Sequence, residues 1–493
     1  MAIEVNQAAR AAGIIQDPQV GLLIMGRKRA GFDPEWGAAT KTRITQALAA
    51  LPYPVTTPSP NIADEQELRA AVEQCRVADV TVLVVVQPTI SDGRLAPLLS
   101  RLWSGPLLMW ATPEKPTGRM ISANSLVGTH VMSATLRQLG HPLEIVYGDP
   151  EDREIVYQVD RAIRAIHAAD SVENRILGLI GNHAPGFVDF HADPVFLSDA
   201  LGSQLYHLSS VELIQRVRSY SDADIADELK TFTAMTLPWS ADAQEAGVAT
   251  GNGSAAGAGN ASATGAAAGP TPGGNPTPSE ELAMQARYYR AFREFFAENN
   301  LDSLAFRCWP DLPSELGHWP YLALARMVSE GFPIAMEGDV DGSLCSRIAE
   351  SAGIGPVYLS DWLHHDEETI TIWHTGAAPF QLCRPDSLEL SVQFNNKRPT
   401  VVQSVIREEM EATLFRIWRF DGEYHMSILE GTTVAPTREL MATNGVFHTD
   451  HVDIRDWFEA QVQRGMPHHV CIVEGHHGEL LSRIGRLMDA VVG

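Results

Sequence analysis

Two acidic residues each follow a short apolar segment of the chain. Glu337 ends the segment Pro333–Glu337, and Asp361 ends the segment Val357–Asp361. If both segments are strands, the two carboxylates lie at strand ends, where open α/β sheets form the crevices that bind ligands. Gly338, next to Glu337, has no side chain, so backbone or ligand can approach closely there. Two such carboxylates can converge on one point.

Several histidines are available to complete a metal site with these carboxylates. His374 stands at the end of another predicted strand, and the segment PHHVCIVEGHHG supplies His468, His469, His476 and His477. Carboxylate and imidazole ligands together suit Mn²⁺ or Mg²⁺. Successive side chains of a strand alternate between faces, so we expect only one of His468 and His469 to face the site. No local motif such as HExxH is present, so folding must assemble the site.

Other interpretations of these acidic residues stay open. The residues alone do not decide whether Glu337 and Asp361 hold a metal or are ordinary strand-end carboxylates. Asp339 and Asp341 resemble the start of a calcium loop, but Leu344 stands where that loop needs glycine. We therefore expect these two aspartates to cap the helix that follows or to interact with its dipole.

Weaker signals lie elsewhere in the chain. Trp309 and Trp373 could pack on the face of a sugar, and buried tryptophans with a structural role would give the same pattern. The segment GLIGNHAPGF faintly resembles a phosphate-binding loop but lacks the Gly-Lys-Ser/Thr ending. No GxSxG or SxxK pattern supports a serine nucleophile.

The elements that must position these residues change in kind along the chain. Short apolar runs such as Val20–Met25, Val80–Val86 and Leu107–Ala111 alternate with helical patterns, which predicts a doubly wound parallel sheet. The same order starts again at Arg175–Ile180. From Thr369 onwards, segments alternate apolar and polar positions without helices between them, which is typical of an antiparallel sheet or barrel.

The predicted fold is therefore α/β, with two doubly wound Rossmann-like domains followed by a β-rich, antiparallel barrel-like domain. The predicted boundaries are 1–170, 171–355 and 356–493. Residues 247–276 consist almost wholly of small and polar residues, and we expect a disordered insertion there because such a segment buries too little apolar surface to fold. The sequence after it, Thr277-Pro278-Ser279-Glu280, is typical of a helix capping box.

Composition excludes several classes of function. The chain has 493 residues and a net charge of -24, which argues against binding nucleic acid or an anionic membrane. Its five cysteines are scattered and unpaired in sequence, which argues against a cysteine zinc site and suits a reducing compartment. No secretory signal or long apolar span is visible, so we expect a cytoplasmic protein.

Six segments in order resemble the L-fucose/L-arabinose isomerase superfamily. They are PLLMWATPE, NSLVGTHVMSATLRQLGHP, MEGDVDGSL, GPVYLSD, IWHTGAAP and PHHVCIVEGHHG. The resemblance implies that Glu337, Asp361 and His469 bind the metal, where His469 matches the histidine of a Pro-x-His element and His476 that of a later Gly-His-x-Gly. It also implies Mn²⁺, or another divalent cation such as Mg²⁺ or Co²⁺. A homo-oligomer, trimer or hexamer, with active sites between subunits is implied as well.

The expected function is that of a metal-dependent aldose–ketose isomerase. Its substrate would be a free pentose, a 6-deoxyhexose or a related modified sugar, and the reaction an enediol proton transfer between C1 and C2. Glu337 and Asp361 are the predicted catalytic residues, and His374, Trp309 and His476 the predicted substrate contacts. The alternatives are a non-catalytic sugar-binding or regulatory protein on the same scaffold and, less favoured, a metal-dependent aldolase or epimerase.

Overall fold

The computed structural model describes residues 7–27, 32–91, 93–248 and 277–493, and these form two compact units. Gln16–Ser171 and Glu479–Ala490 form one, which we call the N-terminal unit. The remaining described residues form the main unit. The first predicted domain boundary, at 170/171, lies at the edge of the N-terminal unit. The second, at 355/356, lies inside the main unit, and the three-domain division stays a prediction.

The N-terminal unit is built around a five-stranded parallel sheet with the strand order β2-β1-β3-β4-β5. The elements up to this point are α1 (Ala8–Ala11, in the main unit), β1 (Val20–Ile24), α2 (Pro34–Ala49), β2 (Val55–Thr56), α3 (Glu65–Val77), β3 (Val82–Val86), α4 (Ala96–Leu102), β4 (Leu107–Ala111), α5 (Ser125–Gln138), β5 (Leu143–Tyr147) and α6 (Arg153–Asp170). Every residue of β1, β3 and β4 is buried, which explains their unbroken apolar sequences.

A second parallel sheet, with the order β7-β6-β8-β9, lies in the main unit. Its elements are β6 (Ile176–Ile180), α7 (Pro194–Leu201), β7 (Gln204–Leu208), α8 (Ser210–Ser219), α9 (Ala226–Ala234), α10 (Ala241–Glu245), α11 (Pro278–Glu298), β8 (Ser303–Phe306), α12 (Asp311–Leu316), α13 (Tyr321–Ser329), β9 (Ile334–Ala335) and α14 (Val340–Ser351). The carboxyl ends of β6, β8 and β9 share one edge, so the segments that follow these strands are brought together.

The last part of the main unit is a nine-stranded mixed sheet. Its elements are β10 (Tyr358–His365), β11 (Thr369–His374), β12 (Glu389–Val392), β13 (Pro399–Val405), β14 (Glu411–Phe420), β15 (Glu423–Val434), β16 (Thr443–His448), α15 (Ile454–Gln463), β17 (His469–Glu474), α16 (Gly478–Leu487, largely in the N-terminal unit) and β18 (Val491–Val492). Six strands pair antiparallel in a closed ring, β10-β11-β16-β15-β14-β17 and back to β10. Tyr358, Ile372, Leu414 and Phe447 are buried in its core.

The predicted helix start at Thr277 is confirmed. Thr277 accepts a hydrogen bond from the backbone N–H of Glu280, and the Glu280 carboxylate accepts one from the backbone N–H of Thr277. This reciprocal pair satisfies two N–H groups at the start of α11 that the helix itself leaves free. The insertion predicted immediately before it, at 247–276, lies from residue 249 onwards outside the described residues.

The mixed α/β class is confirmed, with two parallel sheets and a large mixed sheet near the C-terminus. The edge strands β5 and β7 were missed because partly exposed positions interrupt their apolar pattern, and the edge strands β2 and β18 because two residues form no pattern. Strand β16 was missed because it contains Asn444-Gly445, a pair that usually marks a turn. Gly445 is needed there because a Cβ would lie 2.8 Å from the Ile406 side chain. Among the described residues, no helix is long and apolar enough to cross a bilayer.

Glu350 of α14 is a buried acid in the main unit. Its side chain lies against Gly355, where an added Cβ would be 2.2 Å from the carboxylate. Burial raises the pKa of this carboxyl to about 7, although the nearby charge of Arg10 acts in the opposite direction. Between about pH 4.5 and 7, the folded protein therefore holds a proton on Glu350 that the unfolded chain has released. The resulting stabilisation is present at low pH and is lost as the pH rises towards 7.

We expect Glu350→Gln to raise stability at pH 8 and to change it little at pH 4.5. The upper limit of the gain is about 3 kcal/mol, because one pKa unit corresponds to about 1.4 kcal/mol and the pKa rises from 4.5 to about 7. Urea denaturation at the two pH values measures the difference. The matched control is Glu330→Gln, which removes a carboxylate held by Arg326 and Tyr289 and should destabilise at both. Equal destabilisation by both substitutions at pH 8 would show that Glu350 is stabilising as an anion.

Candidate active site

Glu337 is held in an unusual backbone conformation two residues after the end of β9. Its φ is +62°, in the left-handed region, which costs a non-glycine residue about 1 kcal/mol. The next residue, Gly338, has a φ of +81°, and a Cβ there would lie 2.3 Å from the carbonyl oxygen of Asn182. The backbone N–H of Ala184 donates to the carbonyl oxygen of Glu337 at 2.7 Å. The loop after β6 therefore fixes the turn that presents Glu337.

The Glu337 carboxylate is buried and has partners on both oxygens. The indole N–H of Trp309, which follows β8, donates to Oε1 at 2.8 Å, and Nε2 of His469 lies 3.3 Å from Oε2. Burial opposes ionisation, but the hydrogen bonds from His469 and Trp309 and the charges of His374 and His469 outweigh it, so the pKa of Glu337 is lowered. Glu337 is thus an anion at neutral pH.

The antiparallel strands supply the other members of the cluster. Asp361 of β10 stands directly opposite His469 of β17, and Nε2 of His469 lies 3.5 Å from Asp361 Oδ1. His374, the last residue of β11, places its Nε2 3.3 Å from Nε2 of His469. Two nitrogen lone pairs at that separation need a proton or a cation between them. Glu337, His374 and His469 each offer a ligand atom within 4.8 Å of the others, and so do Asp361, His468 and His469.

A fully buried ion pair orients His469. Its Nδ1–H donates to Asp339 Oδ2 at 2.8 Å, and Asp339 accepts two further hydrogen bonds from Arg416, at 2.7 and 2.8 Å. Neither Asp339 nor Arg416 is exposed. Burial opposes the charge on Asp339, but Arg416 and His469 outweigh it and hold its pKa well below the usual range. Because Asp339 accepts the hydrogen bond from Nδ1–H, Nε2 of His469 faces the cluster.

The ring of His469 carries a second proton, on Nε2, in the metal-free protein. Burial alone would favour the neutral ring, but the hydrogen bonds with Asp339 and Glu337 and the charges of both carboxylates raise the pKa of His469 to about 9. A metal ion at Nε2 would replace that proton while the bond to Asp339 stays in place.

A second acid–histidine pair, Asp189 and His468, borders the cluster. Nδ1–H of His468 donates to Asp189 Oδ2 at 2.6 Å, and its backbone N–H donates to the same oxygen at 3.1 Å. Burial opposes the charge on Asp189, but these bonds lower its pKa to about 2. Nε2 of His468 lies 3.7 Å from Asp361 Oδ1 and has no hydrogen-bond partner among the described residues. Phe187 and Phe190 pack on the ring at 4.8 and 5.2 Å.

The structure brings five of the six predicted site residues together. These are Glu337, Asp361, His469, His374 and Trp309. His476 lies past the other end of β17, where its Nε2–H donates to the carbonyl oxygen of Gly431 at 2.9 Å. The main unit therefore does not place it at the cluster, and its role in substrate binding stays a prediction.

Two local expectations had opposite outcomes. The expected helix cap is confirmed, since Asp339 accepts from the backbone N–H of Gly342 at 2.8 Å. The expectation that only one of His468 and His469 faces the site was wrong. His468 precedes β17 and is not subject to strand alternation, so both imidazoles border Asp361.

Sequence reasoning missed Asp189, His468 as a paired residue, and Arg416. The loop 181–193 that carries Asp189 follows β6, so the same rule that selected Glu337 could have selected it. In a phosphate-binding loop, the backbone N–H groups are free to bind the phosphate. In this loop, the N–H of Ala184 instead donates to the carbonyl oxygen of Glu337. For Arg416, no local signal exists, because its partner Asp339 lies 77 positions away.

The residues present fit a divalent cation. Two carboxylates and at least one imidazole form a borderline-to-hard donor set, and such a set suits Mn²⁺. Thiolate ligands, which favour zinc, are not part of this cluster. The pairing of His469 with Asp339 is the arrangement in which a metal-bound histidine donates its other N–H to a carboxylate. The close approach of the two Nε2 atoms of His374 and His469 is also resolved by a cation between them.

Comparison with known proteins agrees with the isomerase class. The chain is 22% identical to a sulfoquinovose isomerase of Priestia aryabhattai over 478 residues, covering 96% of this chain and 98% of the relative. It is 25% identical over 412 residues to one of Alkalicoccus urumqiensis, covering 82% and 84%, and 24% identical over 399 residues to one of Clostridium sp. (strain MSTE9), covering 80% and 81%. No protein-family model matches the chain. The predicted class, an isomerase, is confirmed by these relatives.

We expect Arg416→Met to destabilise the protein by about 3–5 kcal/mol, because it leaves the buried Asp339 without its main counter-charge. The control is Arg407→Met, which breaks a surface pair with Glu474 whose side chains are 35% and 54% exposed and should cost under about 1 kcal/mol. Urea denaturation in the presence of EDTA measures both. If Arg416→Met lowers the free energy of unfolding no more than Arg407→Met does, the buried pair is not needed to stabilise this region.

Proposed function

We propose that the protein is a divalent-metal-dependent aldose–ketose isomerase that acts on sulfoquinovose or a closely related 6-deoxyhexose bearing an anionic group. The observation that carries the proposal is the convergence of Glu337, Asp361 and His469 from two different sheets. The names of the relatives support the choice of sugar. Sulfoquinovose is 6-deoxy-6-sulfoglucose, so it has an aldose carbon at one end and a sulfonate at the other.

Glu337, Asp361 and His469 would hold the cation, which we propose to be Mn²⁺, and His374 borders the same position. When bound, a divalent cation stabilises negative charge on the sugar oxygens near C1 and C2, an effect worth several kcal/mol. Asp339 keeps the Nδ1 proton of His469 in place, so the neutral imidazole presents Nε2 to the site.

The carboxylates supply the base for proton transfer at carbon. Glu337 is anionic because its pKa is lowered, and its Oε1 is fixed by the indole of Trp309. Asp361 has a side chain that is 25% exposed and so faces the open side of the cluster. One of the two takes the proton from C2 and returns it to C1, which leaves the carbonyl at C2 and a hydroxyl at C1. A positioned base of this kind contributes about 10²–10⁴-fold to the rate.

The reaction also requires a proton to move from the C2 oxygen to the C1 oxygen. We assign this step to His468, because Asp189 fixes its Nδ1–H and its Nε2 lies near Asp361 without a hydrogen-bond partner among the described residues. Its Nε2 can take the proton from one oxygen and return it to the other. Phe187 and Phe190 cover the ring and exclude water from that side.

We expect EDTA to abolish interconversion of sulfoquinovose and its ketose, and Mn²⁺ to restore it. Glu337→Gln should lower kcat at least about 10²-fold and weaken Mn²⁺ binding, because the amide can neither act as an anionic ligand nor accept the C2 proton. The control is Glu474→Gln, at the other end of β17, which should keep full activity. Turnover is followed by chromatography of the two sugars, Mn²⁺ binding by calorimetry and folding by circular dichroism.

Full activity of Glu337→Gln would contradict the assignment. Tight binding of the sugar without metal and without turnover would favour a sugar-binding protein on the same scaffold.

We expect Asp189→Asn to lower kcat by about 10–100-fold and to change KM by less than about threefold. The asparagine side chain has the shape of the aspartate but lacks its negative charge. That charge orients the His468 ring and stabilises it when Nε2 is protonated. Asp193→Asn is the control, because Asp193 belongs to the same loop and caps α7, where asparagine serves equally well. Steady-state kinetics of both variants with saturating Mn²⁺ measure the effect. A rise in KM with unchanged kcat in Asp189→Asn would assign the pair to binding alone.

A further inference from the structure

An open cavity of about 470 Å³ lies on the nine-stranded sheet, outside the cluster described above. Strands β10, β11 and β16 form its floor, and the segment 436–440 after β15 forms its wall. Its lining includes Leu363, His364, Thr371, Arg438, Asn444 and Val446. None of the described residues that line it is acidic.

Asn444 at the floor of the cavity has an unused hydrogen-bond donor. The residue is 0% exposed, and its Oδ1 accepts from the backbone N–H of Leu440 at 3.0 Å. Its Nδ2 has no partner among the described residues. A buried amide without a partner costs about 1–3 kcal/mol, so a ligand that accepts a hydrogen bond at this point would be favoured.

Arg438 adds a positive charge to the same cavity. Its guanidinium makes no ion pair among the described residues, and the neighbouring acid, Glu439, is engaged by Arg384. Thr371 and His364 offer further polar groups. A guanidinium with amide and hydroxyl donors is the kind of set that binds a sulfonate, phosphate or carboxylate through charge-assisted hydrogen bonds.

The cavity lies on the same face of the sheet as Asp361 and His469 of the catalytic cluster. Asn444 is the pairing partner of Trp373, and Trp373 is the pairing partner of Asp361, so all three side chains lie on one face. Thr371 is two residues from Trp373 and shares that face. Asn444 and Asp361 are separated by two strand spacings, or about 10 Å.

A six-carbon sugar spans most of this separation, and the remaining roughly 3 Å is about the length of one hydrogen bond. An extended chain of six bonds, from C1 to the sulfur on C6, spans about 7 Å, by the geometry that gives a peptide about 3.5 Å per three bonds. A sugar with its C1–C2 end at Glu337 and Asp361 would pass Trp373 and place its far end in the cavity.

We propose that this cavity is the subsite for the anionic group of the substrate, with Arg438 and Nδ2 of Asn444 as its direct contacts. The inference rests on the proposed function and adds the residues that select an anionic sugar over a neutral one. The segment 436–440 carries Arg438 and is tied to Asn444 through Leu440, so it forms one wall of the sugar site.

The test compares sulfoquinovose with 6-deoxyglucose, which is the same sugar without the sulfonate. In Arg438→Gln, the ratio of kcat/KM for sulfoquinovose to that for 6-deoxyglucose should fall at least about tenfold, mainly through KM for sulfoquinovose. Asn444→Asp should lower the same ratio, because it keeps the oxygen that accepts from Leu440 but replaces the donor by an acid. The control is Arg218→Gln, which removes an equal charge from α8, where Arg218 pairs with Glu315, and should leave the ratio unchanged.

Binding gives an independent readout. Calorimetry with Mn²⁺-loaded protein should show weaker binding of sulfoquinovose to Arg438→Gln than to the wild type, and an affinity of the wild type that falls as salt is raised. Thermal unfolding checks that each variant is folded.

The possible failures are distinguishable. If the wild type interconverts no aldose in the presence of Mn²⁺, the proposed function fails and the subsite fails with it. If the wild type isomerises sulfoquinovose and Arg438→Gln keeps its preference for it, the subsite is wrong while the proposed function stands. If the wild type has the same kcat/KM for 6-deoxyglucose as for sulfoquinovose, the subsite is wrong in the same way.

Discussion

The candidate site depends on one buried ion pair, between Asp339 and Arg416. Both side chains are fully buried, and Asp339 uses one of its oxygens to bind both Arg416 and His469. Because a buried ion pair pays a large desolvation cost, it is weak evidence for stability by itself. Its consequence here is geometric. It joins the start of α14 to β14 and directs Nε2 of His469 at the carboxylates.

The pair also links two kinds of sheet. Glu337 follows the parallel strand β9 by two residues, whereas Asp361, His374 and His469 belong to antiparallel strands of the closed ring. A parallel sheet offers ligands only along the edge at its carboxyl ends, and an antiparallel ring offers them along rows of paired residues. Where the two meet, a carboxylate from one faces a carboxylate and two imidazoles from the other. The loop 181–193 then closes over the histidines with two phenylalanines and supplies Asp189.

The proposed substrate is an anion and the chain has a net charge of -24, so the two repel each other at a distance. Recognition therefore requires local positive charge. The cation site would provide it at the C1–C2 end of the sugar, and Arg438 would provide it at the other end. Between them, Trp373 separates the two regions on one face of the sheet, and its indole N–H is held by the carbonyl oxygen of Met441 at 2.7 Å. The ring is therefore fixed beside the path that the sugar would follow.

The sequence by itself determined the local features. Unbroken apolar runs predicted the buried parallel strands, because both faces of such strands are covered, and the capping box predicted the start of α11 from four consecutive residues. The position of Glu337 just after β9 followed from the same local patterns. The predicted position of Asp361 at a strand end was wrong, because β10 continues to His365 and pairs Asp361 with strands on both sides. Only the tertiary structure decided which residues meet. Arg416 lies 77 positions from Asp339, and His468 lies 279 positions from Asp189. A contact over such a distance leaves no periodic trace in the sequence, since it depends on how separate elements pack and not on the conformation of either one.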